Sequence, residues 1–228
     1  MACAQFAAII SSIEQDIADY YGFAILHRAE DHLVSEDILP EIRRLRGKTE
    51  SFRAAVYFSE TGDEFAIGVH FDPKIRASLL ADNPKFSLTN RNLDAFCVLV
   101  EELSHFHLLI NRASADKQIS FLELEWQAEV DKLLFCGIYL ERLVGDSHIQ
   151  PLLKLLFGPG YEEPSLEPHY AMAERFAAKF WLDFIKTGVS KRKCLEEKGF
   201  RKFMQKNYLE ALGEKKLVSD GAPVLRVA

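Results

Sequence analysis

The chain has 228 residues, of which 48% are hydrophobic, and it carries a formal net charge of −6 with a pI near 5.7. That length and apolar share suit one compact domain with a proper core. The acidic balance leaves no basic footprint for nucleic acid, and no run approaches the roughly 20 apolar residues of a membrane span.

The N-terminus lacks the charged start and apolar core of a signal peptide. Cys3, Cys97, Cys136 and Cys194 are widely spaced, with no C-x-x-C pair to support a thiolate zinc site. Cys97 and Cys136 sit in apolar runs and read as ordinary buried thiols. A cytoplasmic protein is the expectation, with a peptide or small-molecule substrate open to it.

In chain order, Phe6, Ile9, Ile10, Ile13 and Ile17 recur at helical spacing and predict an amphipathic helix over residues 3–20. "FAILHRA" reads as a short strand, and residues 36–46 as a short helix interrupted near Pro40. "FRAAVYFSETGDEFAIGVHFD" gives the clearest strand signal. Phe52, Ala54, Val56 and Phe58 alternate, as do Phe65, Ile67, Val69 and Phe71, which predicts a hairpin with one buried face. His70 is then expected on the opposite face.

"DPKIRASLLADNPKFSLTN", with Pro73 and Pro84, reads as a connecting segment. A helix is expected from about 92 to 111, and "RASADKQIS" is a loop. Ser120 and Glu123 form an S-x-x-E capping box that starts a long helix to about Val144. "FGPGYEEPSLEP" breaks the chain, and further helices are expected over 167–187 and 190–212. The lysines of 191–216 alternate with glutamates and read as a solvated helical face.

The fold class is therefore α+β, helix-dominated, with a small antiparallel hairpin. One domain is expected over residues 1–215, with its core at about 52–145, a helical part at 146–215 and a loose tail at 216–228.

The stretch "FCVLVEELSHFHLL" places Glu101, Glu102 and His105 inside an apolar helix. At about 100° per residue, Glu101 lies ~40° from His105 and Glu102 ~60° from it on the other side. Val98 and Leu109 bound this cluster, so it is expected to be buried and to need partners. His107 points ~160° away from His105 on the same geometry. Glu125 and Glu129 form a second i, i+4 pair, on a stripe with Leu122, Leu133 and Cys136. Helices joined by a short loop commonly pack antiparallel, which would set these acids opposite Glu101, Glu102 and His105.

The arrangement resembles the zincin metallopeptidases, in particular those whose third zinc ligand is a glutamate on the following helix. Those carry H-E-x-x-H on one helix and an acid pair on the next. This chain has Glu101-Glu102-Leu103-Ser104-His105 and then Glu125-x-x-x-Glu129, with a hairpin before them. The likeness covers about residues 52–132. It implies a metal-dependent hydrolase of peptide or amide bonds, with Glu102 as general base and His105 and Glu125 as metal ligands. Glu101, which stands where the first histidine would be, would also hold the metal, and Glu129 would be an outlying acid or an extra ligand. That substitution makes the donor set rich in oxygen and shifts its preference from zinc toward Mn, Fe or Mg.

Two other readings stand beside it. Glu102-x-x-His105 is also the half-motif of ferritin-like di-metal carboxylate proteins, a class of helical oxidoreductase. No other histidine has a glutamate three residues before it. Alternatively, the acids form a metal-free polar network on a catalytically inactive scaffold or binding protein, with Glu129 paired to Lys132. On a later helix, His169 and Tyr170 are candidates for stabilising an oxyanion, or are simply a helix start and a core residue. His27, His32 and His148 look isolated.

Overall fold

The structure, a computed structural model, describes residues 2–41, 53–61, 64–114 and 119–144, together with Ala173, Ala177 and 224–225. It is helix-dominated α+β, as expected. The chain divides into two compact units, Met1–Asp116 with Val227–Ala228 and Lys117–Arg226. The division falls in the "RASADKQIS" loop.

In the first unit, helix α1 (Ala2–Tyr21) buries the predicted stripe, with Phe6, Ile9, Ile10, Ile13 and Ile17 all at most 5% exposed. It ends at Gly22, whose φ of 72° is open to glycine. The N–H groups of Gly22 and Phe23 then both donate to the Ala18 carbonyl, at 2.7 and 3.2 Å.

The expected strand at "FAILHRA" does not form. Residues 23–28 carry no strand, and a short helical turn, Ala29–His32, follows. At the end of that segment the Ala29 N–H is taken by the Glu14 carboxylate of α1, at 2.8 Å, and not by a strand partner. Strand-like pairing comes later, where Leu33 bridges Val69 in parallel and the Val34 N–H donates to the Val69 carbonyl at 2.8 Å. Gly68 permits this approach, since a Cβ there would stand 2.6 Å from Val34 Cγ2. Pro40 does not interrupt a helix either. Helix begins at residue 39, so Pro40 sits in a first turn, where its missing N–H costs nothing. Residues 42–46 lie outside the described residues.

The hairpin is as read. Strands β1 (Ala54–Thr61) and β2 (Glu64–Phe71) pair antiparallel, with Val56 opposite Val69 and Phe58 opposite Ile67. Val69 and Phe71 are fully buried, and Phe71 packs edge-on against Phe6 of α1 at 5.6 Å. The opposite face is not open. His70 is 2% exposed and Tyr57 is buried, because the 33–36 segment approaches, bringing the Glu36 carboxylate 3.9 Å from His70 Nδ1.

The segment read as a connection contains a helix, α2 (Pro73–Ala81). Asp72 caps it by accepting from the Ile75 N–H at 2.7 Å, and Pro73 occupies its first position. Ile75 and Leu79 bury its inner side. Asn92, itself buried, then fixes the next loop. It accepts from the Thr89 N–H and donates to the carbonyls of Asp82 and Ser87. Helix α3 (Leu93–Ser114) follows, packed against the hairpin, α2 and α1. Phe96, Leu99, Val100, Leu103, Phe106 and Leu109 make it the spine of this unit's core.

In the second unit, the capping box forms as predicted. Ser120 donates from its N–H and its hydroxyl to Glu123 Oε2, each at 2.9 Å, and the Glu123 N–H returns to Ser120 Oγ at 3.2 Å. It starts α4 (Phe121–Val144), which is buried on most of its circumference, Glu125 and Asp131 included. Strand β3 (Ile119–Ser120) pairs antiparallel with β4 (Val224–Leu225), so part of the expected loose tail is in a sheet. The helices expected over 167–187 and 190–212 lie outside the described residues, except that Ala173 and Ala177 are helical and buried. Among the described residues, no helix is long and apolar enough to cross a membrane.

Candidate functional site

α3 carries Glu101, Glu102 and His105 in the first unit, while α4 carries Glu125 and Glu129 in the second. The expected ligand set is therefore not assembled within either unit. His169 and Tyr170 lie outside the described residues.

Glu102 and His105 are each 8% exposed, and Glu101 is half-buried. His105 Nδ1 lies 3.9 Å from Glu102 Oε2, an electrostatic contact too long for a hydrogen bond. The backbone N–H of Val56 is directed at the same carboxyl. This follows from the ladder. The Asp72 N–H bonds the Arg53 carbonyl at 2.8 Å, so alternate residues 53, 55 and 57 face β2. The polar groups of Val56 then point away from β2, toward α3. Burial raises the Glu102 carboxyl above its ordinary value of 4.5, with His105 and the Val56 N–H opposing and Glu101 adding to the rise.

A test follows from the direction of that shift. The native state keeps a proton that the unfolded chain releases near 4.5. The stability linked to Glu102 is thus full below that value and is lost as pH rises through the higher folded one. Glu102→Gln has no charge to bury, so its urea midpoints are expected to decline less steeply than wild type between about pH 4 and pH 8. A variant whose stability keeps the wild-type slope would show that the Glu102 carboxyl does not titrate in this way.

In the second unit, Glu125 is buried, and Glu129 pairs with Lys132 Nζ at 2.6 Å, the i, i+3 contact open to it from the sequence. Buried Asp131 accepts from Gln127 Nε2 at 2.8 Å. Among the described residues, no group of three or more His, Cys, Asp or Glu side chains converges to hold a metal ion.

Sequence reasoning missed a second buried acid. Glu14 of α1 is fully buried. Its Oε1 accepts from the Ala29 N–H and stands 3.0 Å from His107 Nε2, off the line of a hydrogen bond. Its Oε2 takes Arg28 Nη1 at 3.4 Å, and that guanidinium also donates to Ser11 Oγ. The His107 ring packs on Phe23 and Phe106 at 5.1 and 5.4 Å. The signal was present: Glu14 interrupts the Ile10, Ile13, Ile17 stripe just as Glu102 interrupts that of α3.

Sequence reasoning also treated His27 and His32 as isolated, yet their rings meet edge-on at 5.6 Å. They border a cavity of about 360 Å³ that is lined as well by Phe65, Ile67, Ile110 and Ala113. Comparison of the chain with family models, with curated proteins and with solved structures finds no match in any of the three.

Proposed function

We propose that the protein is a ligand-binding protein and not a hydrolase, and that the polar residues of α3 join that helix to the hairpin. The observation that carries this reading is the contrast between two places in the first unit. Glu102 and His105 are closed in, 3.9 Å apart, with β1 beside the Glu102 carboxyl. A concave, partly apolar space lies elsewhere in the unit, beside His27 and His32. A small-molecule site wants a cavity with a few placed polar groups, which the second place offers.

One observation favours the hydrolase that the resemblance implies. A glutamate raised by burial, beside a histidine and under a strand edge, is tuned as a general base would be. Elemental analysis by mass spectrometry decides between the two, on tag-free protein incubated with Zn, Mn and Fe, for wild type, His105→Ala and Glu125→Gln. The binding reading expects no stoichiometric metal in any of the three. One equivalent in wild type, lost in both variants, would overturn it in favour of a mononuclear hydrolase. Two equivalents would overturn it in favour of a di-metal carboxylate centre.

A further inference from the structure

We propose that the cavity beside His27 and His32 binds a small aromatic molecule bearing a hydrogen-bond donor, of which a phenol is the simplest. This rests on the binding reading above and names its ligand class. The volume, about 360 Å³, is at the small end of the range for small-molecule sites. Its apolar wall comes from Phe65 and Ile67 of β2 and from Ile110 and Ala113 near the end of α3. The exposed His27 stands at its rim.

The polar lining comes from His27, His32 and Ser114, and of these His32 has a ring nitrogen against a backbone carbonyl. Its Nδ1 lies 3.1 Å from the Ile67 carbonyl oxygen. A carbonyl can only accept, so Nδ1 carries the proton and donates. In the neutral ring, Nε2 is then left with a lone pair and accepts. The ring is held in place by Phe106 at 5.4 Å and by the His27 ring, so the acceptor is preorganised. A phenol O–H is a donor of the kind that lone pair accepts. A carboxylate would bring a second acceptor to it, and a bare hydrocarbon would leave it unmet. Aromatic side chains in the lining favour a flat ring over an aliphatic chain. A metal ion would want further protein donors, and among the described residues no third ligand joins the pair.

The test is an NMR titration of the full-length protein with para-cresol, toluene and para-toluate at mildly alkaline pH. Para-cresol is expected to bind saturably and roughly tenfold more tightly than toluene, the worth of about one hydrogen bond. Para-toluate should bind more weakly than para-cresol. His32→Phe keeps a ring in place and should erase the preference for para-cresol over toluene. Ala113→Phe fills the cavity and should abolish binding of both. No saturable para-cresol binding, tighter binding of para-toluate, or para-cresol binding that survives Ala113→Phe would each overturn the proposal. A failed titration leaves the metal assay negative, whereas failure of the binding reading appears as stoichiometric metal, so the two are distinguishable.

Discussion

Glu14→Ala is expected to destabilise the protein by about 3 kcal/mol, the cost of removing one partner from a buried charged network. Three groups lose their common anchor: the Ala29 N–H, the Arg28 guanidinium and the His107 ring. The three contributions are unequal. Arg28 is 42% exposed, so its pairing is screened and counts for little. The dominant loss is the buried Ala29 N–H, left without an acceptor in a turn where the backbone offers no substitute. Glu14→Gln keeps an acceptor for that N–H and should cost about half as much by the same reasoning. Both tryptophans, Trp126 and Trp181, belong to the second unit, so urea unfolding should be followed by circular dichroism. A Glu14→Ala variant within about 0.5 kcal/mol of wild type would show that the network carries no net stability.

Phe106→Ala is the other substitution of comparable size, with an expected cost of roughly 3 to 5 kcal/mol. Phe106 is fully buried on α3, and its ring touches both His32 and His107, at 5.4 Å each. Its loss would leave a void between the two histidine clusters and free the His32 ring to turn. Phe106→Leu fills most of that void and should cost about 1 to 2 kcal/mol. Equal losses for Ala and Leu would point to ring–ring contact, and not to filled volume, as the source of the stability. The comparison needs only matched denaturation curves.

How much could be read in advance depended on whether a residue's partner lay within one turn of chain. α1, α3 and the hairpin follow from periodicity alone, because Ile10, Ile13 and Ile17, or Val56 and Phe58, declare a face without reference to anything distant. The Ser120–Glu123 box and the Glu129–Lys132 pair are equally local and equally legible. α2 was hidden by its own start signal. Proline reads as a breaker, and only the Asp72 cap with Pro73 in the first position turns it into a beginning.

The sites were less legible than the fold. That Glu101, Glu102 and His105 share a helix surface is a matter of spacing, and the burial of Glu102 and His105 follows from the apolar residues around them. What meets them is tertiary. Val56 comes from β1, just as His107 is brought to Glu14 from the far end of the first unit. His27 and His32 are separated by a turn whose geometry is dictated by Glu14, so nothing in "HRAEDH" alone foretells that their rings touch.

The carboxyl of Glu102 has a consequence for association between chains. A strand with open N–H groups along one edge is a template on which another chain can extend the sheet, the common first step toward aggregation. Among the described residues, β1 pairs only with β2, so no described strand lies along its other edge. At Val56 that edge already meets an acceptor, supplied by a side chain and not by a neighbouring strand. An incoming strand would have to displace a buried acid group to gain that one backbone bond. The same side chain that resembles a catalytic base would thereby cap that one position of the edge against sheet growth.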